Sequence, residues 1–285
     1  MTVMGPPLPL DGLRAQILDR PALPALSPER YAHTHALYEA ASDQRPRLQS
    51  WLTTALPPML GESDPLRVVG VGVGDGSIDA PLAAALAADG RRVRYTGVEP
   101  HPPSAAQFAA KLNAMEERTL TPTVVIGDFA DHDAGHPADL VHFVHSLYYV
   151  EDLSAALDHG LSMVRPGGLL LAAIAPLQPL CALTELLCPW AGLKPWFAED
   201  VHEELELRGL STHTETIVGH LDARDALNDP LGRGEAVLDF LIGARSRALG
   251  PDAREWLLDY LRDISLPDRP GILPHPVDVL LTRVP

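Results

Sequence analysis

Basic residues are scarce in this sequence: 22 Lys and Arg stand against 38 Asp and Glu, a formal charge of -16. That excess argues against a nucleic-acid phosphate track or an anionic membrane surface, and it suits a small or cationic ligand. Cysteine is scarcer still. Cys181 and Cys188 make no disulfide framework and match no zinc spacing. Seven positions apart on a helix they share a face, which predicts two buried thiols. Long apolar runs are missing too: the longest, GGLLLAAIAPL, is too short to span a bilayer. The opening MTVMGPPLPLDG has neither the basic nor the apolar region of a secretory leader. A cytoplasmic protein is the expectation.

What the chain does have is apolar content, 46% of 285 residues, ample for a core. Residues 1–27 are Pro-rich (PPLPL, then RPALPALSP). Proline removes amide donors, so a loosely ordered arm without long helices is expected there. A helix is predicted from Ser27, with Ser27 as cap, Pro28 in the first turn, and Tyr31, His35 and Tyr38 near one stripe. A second is predicted from Arg45 to about Met59. The period then changes. RVVGVGV (67–73), RVRYTGVE (92–99), TVVIGD (123–128), ADLVHFV (138–144) and LLLAAIA (169–175) read as strands that alternate with helical segments. Such alternation builds βαβ units and a parallel sheet covered on both faces. After Pro176 the order breaks into helices, a candidate strand STHTETIVGHL, amphipathic helices over 222–264 and a final strand PVDVLLTRV (276–284).

The first strand runs into GVGVGDGSID (70–79). Glycines there allow a tight turn and the close approach of a ligand. The dinucleotide fingerprint G-x-G-x-x-G fails in both registers: from Gly70 its third glycine falls on Asp75, and from Gly72 on Ser77. A G-x-G-x-G at Gly72, Gly74 and Gly76 does fit, and it is similar to the loop of Rossmann-like S-adenosylmethionine-dependent methyltransferases. Glu99 ends the second strand, where an acid can accept hydrogen bonds from both ribose hydroxyls. Asp128 and Phe129 end the third, where an acid and an aromatic ring suit an adenine. All three lie on the carboxyl edge of the sheet, where open α/β sheets bind ligands.

The segments GVGDGSID, GVEP and DLVHFVHSLYYVEDLSAAL, with weaker echoes in VLDFL (237–241) and in the strand after LPHP, resemble the histamine N-methyltransferase family across roughly residues 28–284. The resemblance implies an α/β fold, a Rossmann-like seven-stranded methyltransferase sheet with the last strand antiparallel, and a small, mainly helical substrate cap. The boundaries it suggests are an arm over 1–27, cap helices over 28–61 and 222–272, and a methyltransferase core over 62–221 with 273–285. It implies a monomeric, metal-free enzyme that takes S-adenosylmethionine and methylates a small nitrogen nucleophile. Several positions depart from the family. Gly70 stands where many members of the class carry an acid, and His145 where the family has a Gln. Gln44 aligns with the family's amine-binding Glu, and His275 with an Asn. The flanking aromatics Tyr31, Tyr148, Tyr149, Trp196 and Phe240 persist as candidate substrate contacts, alongside Gln44, His145 and His275.

FVHSLYYVED (143–152) reads as the wall of the site. Strand alternation puts His142 and Val144 on one face and Phe143 and His145 on the other. Val144 and His145 then border the cofactor, and the faces of Tyr148 and Tyr149 suit a cationic or planar ligand. Glu151 and Asp152 read as the acidic first turn of the next helix. Methyl transfer is an in-line displacement, so the protein needs to align a nucleophile and to receive its proton. His145 is the first candidate for that base and His275 the second. The loop His132, Asp133 and His136 could be imagined as a metal site, but no metal is expected. Two rival readings remain. One is O- or S-methylation with His145 as base. The other is a non-catalytic cofactor-binding interaction protein. A nicotinamide oxidoreductase is more distant, because the glycine spacing fails.

Overall fold

The computed structural model describes residues 9–17, 21–115, 117–189 and 195–285. Seven strands form one sheet: β1 Leu66–Val71, β2 Val93–Glu99, β3 Leu120–Ile126, β4 Ala138–Val144, β5 Val164–Ile174, β6 Thr212–Asp222 and β7 Ile272–Arg283. Their order is β3-β2-β1-β4-β5-β7-β6. The first five pair in parallel, and β7 runs antiparallel to β5, Leu169 opposite Arg283 and Ile174 opposite Asp278. The expected α/β sheet with its last strand antiparallel is therefore present.

Each central strand is buried on both faces because its two sets of alternate side chains meet separate cores. Leu66, Val68 and Leu140 join one cluster with Leu82, Leu86 and Phe108. Val69, Val71, Val141 and Phe143 join another with Leu153, Leu157 and Val201. A fully buried side chain of this kind contributes roughly 1.5–3 kcal/mol, so a one-residue slip of any central strand would exchange its two faces.

The chain divides into two compact units. One comprises Met1–Gln44, Leu177–Lys194 and Val218–Pro276, and the other Arg45–Pro176, Pro195–Ile217 and Val277–Pro285. The second holds the five parallel strands. The first has its own core, built from Leu13, Leu183, Leu238, Leu257, Leu261 and others. Its helix Pro28–Ala40 begins as expected: the Arg30 N–H donates to Ser27 Oγ at 3.2 Å.

Several features differ from the sequence reading, among them the bounds of β3 and β7, expected at 123–128 and 276–284. A helix, Pro9–Ile17, lies within the Pro-rich segment. Its only proline is its first residue, where the missing N–H is harmless, and Leu13 is fully buried. Residues 1–8 and 18–20 of the expected arm lie outside the described residues. Strand β5 starts at Val164 rather than after the R-P-G-G turn, because Val164 pairs with Ala138 ahead of a register shift. The two thiols are only partly buried. That of Cys188 is pushed up to about 11 by burial. No helix among the described residues is long and apolar enough to cross a membrane.

Candidate active site

The strand order reverses between β1 and β4, and open α/β sheets bind ligands at the carboxyl ends of such a strand pair. β1 leads there into the glycine loop, and β4 into His145. The loop is pinned from below: the Gly72 N–H donates to the Val98 carbonyl at 2.8 Å, and the Gly76 N–H to the Val73 carbonyl at 3.0 Å. Gly72 has φ 67, and a Cβ on it would lie 2.5 Å from the Cβ of Ser146. Only glycine lets the loop and the segment after β4 come this close. Gly74 has φ 56 and faces open space, with nothing within 4 Å of a Cβ built there.

Glu99, buried at the end of β2, braces the loop. Its Oε2 accepts the Gly74 N–H at 2.9 Å and its Oε1 accepts the His101 N–H at 2.9 Å. Each oxygen keeps a further lone pair. Asp75, at the loop tip, accepts the Ser77 N–H and hydroxyl on Oδ1 and pairs with Lys111 Nζ at 2.6 Å through Oδ2. Burial raises the pKa of its carboxyl, but the Lys111 and Ser77 hydrogen bonds outweigh burial and hold it below the usual range. Asp128 is exposed and caps a single 3-10 turn, its Oδ1 accepting the Ala130 N–H at 2.9 Å. The Phe129 ring turns into the core instead, against Phe143 at 5.3 Å and His159 at 4.7 Å between centroids.

His145 is the one non-glycine residue with positive φ among the described residues, at 54°. Its N–H donates to the Ala173 carbonyl at 2.9 Å. Its Nδ1 lies 3.3 Å from the Tyr148 phenol oxygen, and the two rings stack at 14°. That phenol oxygen also accepts the Ala175 N–H at 2.6 Å. Backbone strain of this kind costs about 1–3 kcal/mol and concentrates at functional sites. Val144, beside it, pairs with Ala173 and packs on the core. Tyr149 is 70% exposed. Trp196 is held by its Nε1–H on the Val150 carbonyl at 2.9 Å. Asp152 caps the following helix through the Ala155 N–H.

The other predicted residues belong to the first unit and fall into two groups. Tyr31 and Phe240 pack with Tyr38 and His35 at centroid distances of 4.5–6.0 Å, Tyr31 stacked on His35 and Phe240 tilted against the others. An ion pair of Arg30 with the fully buried Asp239, at 2.7 Å, fixes the two helices that carry them. Gln44 and His275 form the second group. The buried Gln44 donates its side-chain N–H groups to the His275 and Pro276 carbonyls at 3.2 and 2.8 Å. The His275 ring contacts Tyr38 Oη through Nε2 at 2.9 Å and Ser42 Oγ through Nδ1 at 2.7 Å. Burial pushes its pKa down to about 4, against the opposing charge of Asp43. His275 is thus a neutral imidazole with both nitrogens engaged, a poor proton acceptor near pH 7.

A cluster under the glycine loop escaped the sequence reading. Tyr95 places its hydroxyl 2.7 Å from Asp79 Oδ1 and 2.7 Å from His142 Nε2, and all three side chains are buried. Among the described residues no group of three His, Cys, Asp or Glu could hold a metal.

Residues 69–170 match the family profile of a methyltransferase domain. Among solved structures, the chain is similar to the YcgJ protein of Bacillus subtilis, 10% identical with a TM-score of 0.54, over 82% of this chain and 98% of that one. It is also similar to the N-methyltransferase NodS of Bradyrhizobium japonicum, 15% identical with a TM-score of 0.50, over 85% and 99%. A third is the cyclopropane synthase MmaA2 of Mycobacterium tuberculosis, 14% identical with a TM-score of 0.50, over 81% and 82%. At these identities the likeness is one of fold. A search of curated proteins gives no match.

The cofactor expected from the glycine loop is S-adenosylmethionine. The strand ends fit that group. Gly74 leaves an open cradle, and the two lone pairs left on Glu99 suit a pair of vicinal hydroxyls.

Proposed function

We propose that this chain methylates a nitrogen atom of a small molecule, an amine or an imidazole-type compound. The observation that carries the reading is the joint placement of the glycine loop, Glu99 and a strained His145 around the carboxyl ends of β1, β2 and β4. S-adenosylmethionine supplies a methyl group already activated on a sulfonium. The chain's residues then bind, orient and receive a proton. Glu99 holds the ribose hydroxyls, and the second carboxylate oxygen of Asp128 suits the adenine amino group. His145, beside the Tyr148 phenol, is the residue that would receive the substrate's proton. The left-handed backbone at His145 sets the direction of that ring.

Nitrogen is favoured by the resemblance to the histamine N-methyltransferase family and by the aromatic rings of Tyr31, Tyr38, Tyr148 and Phe240, whose faces suit a cation. We assign Tyr149 and Trp196 of the second unit to substrate recognition and, separately within the first unit, Tyr31 and Phe240. Gln44 and His275 support it indirectly, as struts for Tyr38.

Calorimetric titration with S-adenosylmethionine and S-adenosylhomocysteine tests the cofactor half. Glu99→Ala is expected to weaken binding by more than about ten-fold, since it removes charge-assisted hydrogen bonds of about 1.5–3 kcal/mol each. No binding to the folded wild type would return the chain to the interaction-protein reading. A mass-spectrometric screen of amines, imidazoles, phenols and thiols tests the acceptor. Methylation of phenols or thiols alone would replace nitrogen with oxygen or sulfur.

A further inference from the structure

Gly70, two positions before the loop, has no room for a side chain. A Cβ there would lie 2.8 Å from Asp79 Oδ1 and 2.9 Å from His142 Cε1 and Nε2. The space is filled by a carboxylate that comes from the first residue of the helix Asp79–Ala87. Tyr95 anchors that carboxylate to β2, the strand that ends at Glu99. His142 Nε2 meets the same hydroxyl from β4, the strand that leads to His145. One proton arrangement serves both contacts of the Tyr95 hydroxyl. The Tyr95 O–H donates to the Asp79 carboxylate, and His142 donates its Nε2–H to the Tyr95 oxygen.

We infer that Asp79, held by Tyr95 and His142, is the positioning carboxylate of the cofactor loop, and that it fixes the loop's exit to the strands bearing Glu99 and His145. The inference rests on the cofactor reading above.

The buried carboxyl gives the cluster a pH dependence. Burial pushes Asp79 up to about 7, opposed by the Tyr95 hydrogen bond and the charge of Arg45 and reinforced by that of Asp75, itself paired with Lys111. His142 is pushed down to about 4 by burial and stays neutral. A carboxyl whose pKa rises on folding stabilises the fold below the unfolded value, and that stability is lost as pH climbs through about 7. Buried ionisable groups of this kind cluster at functional sites.

The test compares Asp79→Asn, Tyr95→Phe and Asp139→Asn by calorimetry with S-adenosylhomocysteine and by thermal melting, between pH 6 and pH 8. Asp139 is an equally buried carboxylate near the amino end of β4, bound by Ser63, the Arg67 N–H and Arg165. Asp79→Asn should bind about ten-fold more weakly at pH 8, the equivalent of one pKa unit of linkage, and melt no lower than wild type. Wild-type affinity should rise with pH across this range, and that of the variant should stay flat. Tyr95→Phe should weaken binding in the same direction, and it carries the test if Asp79→Asn does not fold. Asp139→Asn should lower the melting temperature and leave affinity unchanged. Wild-type affinity in Asp79→Asn and Tyr95→Phe would overturn the inference. So would losses that track melting temperature in all three variants. Either result leaves the cofactor reading standing, because that reading fails only if Glu99→Ala binds normally or the wild type does not bind.

Discussion

His145 follows strand β4 and His275 lies near the start of β7, and the sequence offers each as a proton acceptor. The structure gives them different environments. His145 has a left-handed backbone and one ring nitrogen near a phenol. His275 has both ring nitrogens on hydroxyls and a pKa pushed down to about 4 by burial. The first is held at positive φ, a strained conformation of the kind that concentrates at functional sites. The second is saturated, which is how a fold uses a histidine as a strut. The difference teaches that residue type and position nominate a base, whereas burial and two hydroxyl partners lower the basicity of His275.

The sharpest way to break this contrast is to remove each ring. His145→Ala is expected to slow methyl transfer to any acceptor found in the screen by about 10²–10⁴-fold, with cofactor affinity within about three-fold of wild type. Single-turnover kinetics beside calorimetry would measure both. An unchanged rate would remove His145 from the chemistry.

His275→Leu should act on stability instead. It takes the imidazole away from the Ser42 and Tyr38 hydroxyls, each loss costing about 1–3 kcal/mol, and denaturant unfolding would read the sum. The pH dependence has a defined sign. The folded pKa of His275 lies at about 4 and the unfolded value near 6.5, so the unfolded chain binds more protons between them. Wild-type stability from this group is present above about 6.5 and is lost as pH falls toward 4. His275→Asn should flatten part of that acid limb. His142, also at about 4, supplies a limb of its own that persists in the variant.

Much of this was legible in the sequence. The run ADLVHFV is bounded by polar residues, and its β4 limits match. Its alternation sends His142 and Phe143 to opposite faces, as found. The loop was legible because glycines with positive φ leave a spacing that other residues cannot imitate. Two things were hidden. The Asp79–Tyr95–His142 cluster joins residues 16 and 47 positions apart, and only the β1–β2 and β1–β4 registers bring them together. The inward turn of Phe129 was equally hidden, because an aromatic ring at a strand end suits an adenine and a core alike, and the partners that decide, Phe143 and His159, come from other elements.

The smallest expected effect separates strain from chemistry at one residue. A non-glycine residue at φ 54 carries a backbone penalty that glycine lacks and asparagine largely escapes. His145→Gly and His145→Asn should therefore both lose methyl transfer, while His145→Asn melts higher than His145→Ala by the equivalent of about 1 kcal/mol. His145→Gly should gain less than the relieved strain alone implies, because glycine also frees the unfolded chain. Equal melting temperatures for the Asn and Ala variants would mean that the backbone there is relaxed, and the geometric half of the contrast with His275 would fall, whatever the kinetics show.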